Sequence, residues 1–113
     1  MSVKLTTTMV YCEDEDVVGC CEIIYYAGGT AAEIASFAAD KSYRNQGIGS
    51  ELVSEAVKEM RSGDFRLVFA LSTAVSHIFT QCGFEQISPE ELPEEKRKNY
   101  EFQESIVYGR RLD

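Results

Sequence analysis

The chain has 113 residues, a length typical of a single domain with one hydrophobic core. Its net charge of −8 and pI near 4.6 disfavour nucleic acid and anionic membranes as partners, because an acidic surface is repelled by both. It also has no apolar leader, no apolar run of transmembrane length and no Cys-x-x-Cys pair, which argues against secretion, membrane insertion and a zinc or redox site.

Composition therefore predicts one domain, residues 1–113, in a reducing cytoplasm and without a metal. The acidic balance suits a cationic or amine-bearing substrate, although solubility alone explains it more simply. The cysteines are expected as buried free thiols. They are Cys12, Cys20, Cys21 and Cys82.

The first third of the chain predicts three successive strands. Residues 4–12 and 17–26 are rich in Thr, Val and Tyr, and the acidic run 13–16 between them predicts a hairpin turn. A second turn is expected at 27–30, where two glycines occur, and a third strand at 31–39.

The remainder alternates helices and strands. Residues 47–61 predict an amphipathic helix, because apolar side chains recur at 3.6 spacing, with Gly63 expected as a left-handed cap. The apolar run 65–71 predicts a strand buried on both faces. Four further segments complete the prediction: a short helix at 73–82 stopped by Gly83, a strand at 84–88, a charged loop or single helical turn at 89–99, and a last strand at 105–112.

The order β-β-β-α-β-α-β-β predicts an α/β (α+β) domain with a mixed, mostly antiparallel sheet flanked by helices. A strand, a crossover helix and a second strand indicate a parallel pair. Ligands of such sheets bind at the carboxyl ends of strands, where neighbours diverge. The loop after the third predicted strand is therefore the expected binding site.

That loop carries an Arg-x-x-Gly-x-Gly run formed by Arg44, Gly47 and Gly49. Glycines allow close backbone approach, and the start of a helix offers unpaired N–H groups at the positive end of its dipole. The run therefore predicts an anion site. It has no following Lys-Ser/Thr, unlike a nucleotide-hydrolase P-loop, and lacks the third glycine of a dinucleotide fingerprint. The alternative is a surface loop in which the glycines only turn the chain.

Residues 37–49 resemble the acetyl-CoA motif of the GCN5-related N-acetyltransferases, in which an apolar strand and a short loop precede Gln/Arg-x-x-Gly-x-Gly/Ala and a helix. A second landmark of that family, a short helix ending in Gly-Phe after a buried strand, is similar to residues 79–84. A narrower likeness is to the acetyltransferase domain of N-acetylglutamate synthases. The segments on which this narrower likeness rests are residues 32–38, 68–73, 77–79 and 92–100.

The resemblance implies a GNAT-like fold lacking the usual N-terminal strand and helices, and acetyl-CoA as the acetyl donor. It implies that the diphosphate lies on the amides of 46–50 framed by Arg44 and Gln46, and that the third strand splays from its neighbour at 37–39 to bond the pantetheine amides. The implied donor-binding residues are Phe37, Ala38, Ala39, Arg44, Asn45, Gln46, Gly47, Ile48, Gly49 and Ser50.

Two side chains are the catalytic candidates implied by the resemblance. Glu33 would remove the proton of the amine, the alternative being an exposed strand glutamate. Ser72 would protonate the leaving thiolate, and as N-cap of the next helix it has a second, compatible role. Many relatives use a Tyr in the short helix as this acid, and here Phe79 stands in its place. His77 is more simply structural than catalytic.

The expected function is therefore direct acetyl transfer to the primary amine of a small-molecule or amino-acid-like acceptor in a ternary complex. Glutamate is a possible acceptor, but Glu104 and the absence of Lys and Arg from 103–108 favour an amine without a nearby carboxylate. A non-catalytic acyl-CoA-binding module that regulates a partner is the alternative of another class. A homodimer is expected to cover the sheet edge.

Overall fold

One mixed sheet forms the centre of the computed structural model, which describes residues 4–26, 30–39, 47–63, 65–72, 77–98 and 105–112. The described strands are β1 (Lys4–Glu13), β2 (Asp16–Tyr26), β3 (Ala31–Ala39), β4 (Leu67–Ser72), β5 (Glu85–Gln86) and β6 (Ile106–Arg111). The described helices are α1 (Ile48–Arg61), α2 (His77–Gln81) and α3 (Glu94–Lys98), with a 3-10 turn at Pro89–Glu91.

The strands lie in the order β1-β2-β3-β4-β6-β5. The pair β3–β4, which is connected through α1, is parallel, and the other described pairs are antiparallel. The mixed, mostly antiparallel sheet predicted from the element order is therefore confirmed. The acidic turn is confirmed as well, because Asp14 lies between β1 and β2 with φ 56°, in the left-handed region that Asp tolerates.

The helix α1 covers one face of the sheet with the apolar stripe that its sequence predicts. Burying a large apolar side chain in this way stabilises the fold by about 1.5–3 kcal/mol. The buried side chains of the helix share one cluster with residues of β2, β3 and β4. Its central members are Ile23, Ala32, Leu52, Val53, Ala56, Val57, Met60 and Val68.

The end of α1 differs from the prediction of a left-handed cap at Gly63. The cap residue is Ser62 in a right-handed conformation, with φ −72°. The Gly63 N–H donates to the Met60 carbonyl (3.2 Å) and the Ser62 hydroxyl donates to the Glu59 carbonyl (2.7 Å), so these terminal carbonyls are satisfied without a chain reversal. A glycine fits here for another reason, since a Cβ would lie 3.1 Å from ring carbons of Phe65.

The opposite face of the sheet is covered by the segment after β5, which we name the far-face arm (residues 89–98). Leu92 of this arm is buried in a second cluster with Tyr26, Phe69 and Val107. Because Val68 and Ala70 belong to the α1 side, β4 is buried on both faces, as the apolar run predicts.

The second half of the chain departs from the prediction in its short elements. The strand predicted at 84–88 is only the two-residue β5, and the charged segment 89–99 holds a 3-10 turn and α3 rather than one helical turn. The helix predicted at 73–82 is described from His77 to Gln81, and its predicted start lies outside the described residues.

The prediction of buried thiols is correct for Cys21 and Cys82 but wrong for Cys12, which is exposed near the end of the edge strand β1; Cys20 is intermediate. Burial, with a smaller effect of neighbouring Cys20, raises the pKa of the Cys21 thiol to about 11. Cys21 therefore stays protonated at neutral pH and is a packing residue rather than a nucleophile.

Candidate functional site

The parallel strands β3 and β4 are paired over only the first part of their length. Their described pairs are Ala31 with Leu67, Ala32 with Val68 and Glu33 with Phe69, although β3 runs on to Ala39 and β4 to Ser72. Beyond this point β3 still pairs with β2, and β4 still pairs with β6. A cleft therefore opens between two strands that are each paired on their outer side. The resemblance implies such a separation at 37–39, and the described pairing already ends at Glu33.

A bulge in β3 lies in the wall of this cleft. Cys20 is paired with Ala38 and Glu22 with Ala35, so residues 36 and 37 of β3 face the single residue Cys21 of β2. A bulge interrupts the ladder and increases the local twist of the strand, which re-aims its backbone groups. The bulge thus interrupts the ladder at residues 36 and 37, and Ala38 and Ala39 pair again with Cys20 and Gly19 of β2, so only their other side faces the cleft.

The amino end of α1 follows β3 after residues 40–46, which lie outside the described residues. Gly47 is the N-cap of α1, with φ 74° and ψ 13°, and no side chain caps the helix there. The Glu51 N–H closes the first turn on the Gly47 carbonyl (3.0 Å). The amides of Ile48, Gly49 and Ser50 precede that bond, and helix geometry gives such first-turn amides no acceptor within the helix.

The space beside Gly47 is open, because a Cβ built there would meet nothing within 4 Å. The backbone conformation, and not a protein contact, is therefore what favours glycine at this position. The predicted phosphate contacts Arg44, Asn45 and Gln46 lie outside the described residues.

The short helix α2 braces the first turn of α1. The Ser50 hydroxyl donates to Gln81 Oε1 (3.2 Å). The Cys82 thiol donates to the Ser50 carbonyl oxygen, with 3.5 Å between sulfur and oxygen. Gly83 ends α2 with φ 86°, as predicted, and the Phe84 N–H donates to the Phe79 carbonyl (3.0 Å). The Ser50 side chain is thus engaged within the fold, while its amide belongs to the helix terminus.

The predicted base Glu33 is buried at the point where β3 and β4 begin to diverge, with 4% of its surface exposed. The Tyr26 hydroxyl donates to Glu33 Oε1 (2.6 Å), and Lys96 Nζ lies 3.1 Å from Glu33 Oε2. The interpretation of Glu33 as an exposed strand glutamate is therefore wrong. Two charge-assisted contacts compensate for the removal of its carboxylate from water.

The sequence does not identify Tyr26 and Lys96 as members of this group. Ile24 of β2 is the register partner of Glu33, so Tyr26 lies one diagonal step away on the same face, and the hairpin register was a usable signal for it. Lys96 comes from α3, some sixty residues after Glu33 in the chain, and no local sequence pattern predicts that contact.

The other side chains considered for acid–base roles lie away from Glu33, on β4 and α2. Ser72 is half-buried at the carboxyl end of β4, opposite Ile106, on the far wall of the cleft. Phe79 is buried and stacked on Tyr108, with ring centroids 5.7 Å apart, so it serves the core. His77 is exposed at the start of α2.

Comparison with known proteins places this arrangement in context. A family model described as the acetyltransferase (GNAT) family matches residues 4–84. The amino-acid acetyltransferases of Pseudomonas fluorescens and Neisseria meningitidis serogroup A are 31% and 32% identical over 87 residues, which are 77% of this chain and 20% of each relative. The chain therefore spans about a fifth of the length of the curated relatives it matches.

Solved structures agree with the fold. The N-acetylglutamate synthase from Neisseria gonorrhoeae, complexed with coenzyme A and N-acetyl-glutamate, aligns with a TM-score of 0.85 and 30% identity over 94% of this chain and 26% of its own. Tetrahymena GCN5 aligns with a TM-score of 0.78 and 19% identity over 96% of this chain and 69% of its own. Among the helices that the structure describes, none is both long and apolar enough to cross a bilayer.

Proposed function

The chain belongs to the acetyltransferase (GNAT) family, and on that premise we propose that its 113 residues act as one cytoplasmic domain that acetylates the primary amine of a small, amino-acid-like molecule. Acetyl-CoA is the donor, and the amine attacks it directly in a ternary complex. The observation that carries this proposal is the cleft between β3 and β4 beside the uncapped amino end of α1. Backbone donors face both the thioester and the diphosphate in such an arrangement.

The donor lies along β3 in this proposal. Its diphosphate accepts hydrogen bonds from the first-turn amides of α1, with Arg44, Asn45 and Gln46 completing the cradle. Its pantetheine arm pairs with the backbone of 37–39, in place of the missing β4 partner. An extended ligand that pairs with an open strand edge gains main-chain hydrogen bonds in the way a peptide does in β-augmentation.

The chemistry needs a base for the amine and an acid for the thiolate. Glu33 takes a proton from the amine, either directly or through water, as the nitrogen bonds the acetyl carbon. The carbon–sulfur bond then breaks, and the CoA thiolate takes a proton from the Ser72 hydroxyl. The positions of Glu33 at the vertex of the cleft and Ser72 at its far wall support this division of roles.

Glutamate is the second candidate acceptor, because proteins similar to this chain are named amino-acid acetyltransferase and N-acetylglutamate synthase. Glu104, which lies outside the described residues, favours instead an amine without a nearby carboxylate, because like charges repel. The decisive measurement is acetylated product, by mass spectrometry, from acetyl-CoA and a panel of amines that includes glutamate. Mass detection is preferable to a thiol reagent, since the exposed Cys12 would react with the reagent.

Product from any amine above the uncatalysed background supports the enzyme, and product from glutamate alone supports the second candidate. Calorimetric binding of acetyl-CoA without product from the whole panel would instead identify a non-catalytic acyl-CoA-binding module.

A homodimer through β1 completes the proposal. β1 is a ten-residue strand at the edge of the sheet, and the exposed apolar side chains Val10 and Val17 lie on this hairpin. Long edge strands without charged protection tend to pair. Sedimentation at high concentration is expected to give twice the subunit mass, and Val10→Lys to give one subunit. A monomeric wild-type protein would contradict the dimer.

A further inference from the structure

The buried ion pair between Lys96 and Glu33 joins the far-face arm to the vertex of the cleft. Lys96 Nζ lies 3.1 Å from Glu33 Oε2, and the two side chains are only 15% and 5% exposed. An exposed Lys–Glu pair contributes little to stability, but removing one member of a pair with this burial is strongly destabilising. The contact therefore constrains both side chains strongly.

The two oxygens of Glu33 have different partners from different elements. The Tyr26 hydroxyl of β2 donates to Oε1 at 2.6 Å, while the Lys96 ammonium of α3 holds Oε2. Among the described elements packed around Glu33, these are the ionisable groups in contact with it, and its partner across to β4 is the apolar Phe69. Donors at both oxygens fix the plane of the carboxylate as well as its position.

The position of Lys96 depends on contacts that other residues of the far-face arm make with the sheet. Leu92 is buried against Tyr26 and Phe69, and the Lys96 N–H donates to the Pro93 carbonyl (3.0 Å) at the start of α3. Glu91 forms an ion pair with Arg111 of β6, which also pairs with Glu85 of β5. The arm is thus held against the sheet chiefly by the buried Leu92, with the exposed Glu91–Arg111 ion pair beside it, and α3 then places the ammonium next to Glu33.

We propose that Lys96 is a positioning residue for acyl transfer: the far-face arm brings its ammonium to Glu33 and holds that carboxylate in the orientation that receives the proton of the amine. This inference rests on the proposed function and adds to it a residue of α3. Lys96 acts through Glu33 and takes no part in proton transfer itself. A base whose rotamer is locked by its neighbours meets the geometric demands of proton transfer better than a free side chain.

The test compares Lys96→Met, Lys96→Arg and the control Lys58→Met, which removes an exposed lysine whose pair with Glu55 is of the ordinary surface kind. We expect Lys96→Met to lower kcat at least ~10-fold with the KM for acetyl-CoA within about twofold, because orientation acts on the chemical step and not on donor binding. Lys96→Arg restores most of kcat, and Lys58→Met changes neither parameter.

The split between kcat and KM, the rescue by Lys96→Arg and a double variant separate positioning from a structural role. A double variant with Glu33→Gln is expected to be no slower than Glu33→Gln alone. The inference is overturned by a folded Lys96→Met protein with wild-type kcat, or by losses that add independently in the double variant. Absence of turnover by the wild-type protein with every amine overturns the proposed function, and the inference with it.

Discussion

Replacing Gly47 by valine is expected to weaken the binding of acetyl-CoA by at least ~100-fold, a change of about 2.7 kcal/mol. Gly47 has φ 74°, a conformation that is strained for a β-branched residue. Relief of the strain would tilt the first turn of α1 and its amides. The side chain would also occupy the open space next to the helix terminus, where the diphosphate approaches in the proposed complex. Calorimetry with acetyl-CoA measures the effect directly.

Gly83 provides a matched control for this substitution. It has a similar backbone conformation, φ 86°, and a Cβ there would make only ordinary contacts with Arg110, at 3.5 Å and beyond. We expect Gly83→Ala to lower the melting temperature through backbone strain while the affinity for acetyl-CoA is retained. Wild-type affinity in a folded Gly47→Val protein would rule out the phosphate site at the start of α1.

The second large effect is expected for Glu33→Gln. The amide cannot accept the proton of the amine, so turnover falls at least ~100-fold, the lower end of what a general base contributes. The variant also breaks the ion pair with the Lys96 ammonium, which is only 15% exposed, and breaking a buried pair costs about 3 kcal/mol of unfolding free energy. Urea denaturation and steady-state kinetics measure the two losses separately.

Glu55→Gln is the control for both measurements, since Glu55 pairs with Lys58 on the exposed face of α1 at 3.2 Å. Its loss is expected to change the unfolding free energy by less than about 0.5 kcal/mol and to leave turnover unchanged. The affinity of Glu33→Gln for acetyl-CoA stays within about twofold of wild type. A folded Glu33→Gln protein with normal turnover would exclude Glu33 as the base.

The main elements of the fold follow from local pattern. The 3.6-residue repeat in α1 and the apolar run in β4 each identify one element and the face it buries, so the topology follows from their order. The predictions that were wrong concern the ends of helices and the short elements of the second half of the chain. At Gly63 the terminal carbonyls are satisfied by Gly63 N–H and Ser62 hydroxyl donors, and nothing in the sequence distinguishes that ending from a left-handed cap.

The candidate site is predictable where its members are adjacent in sequence and not where they meet through packing. The cluster of glycines ahead of α1 is local, and it indicated a left-handed residue and an open helix terminus. The environment of Glu33 depends on the register of β2 and on an arm that crosses the opposite face of the sheet. Sequence spacing cannot convey that Tyr26 and Lys96 converge there, and so it left open the alternative of an exposed strand glutamate, which the burial of Glu33 excludes.

The parting of β3 and β4 has a thermodynamic consequence for the whole domain. A donor seated between them would act as an added strand, supplying hydrogen bonds to the side of 37–39 on which the described part of the sheet has no pairing with β4. Such a ligand binds only the native state, so occupancy and folding are linked by mass action, and stability rises with the logarithm of donor concentration. The cellular level of acyl carrier would then set how long this small protein survives as well as how fast it works.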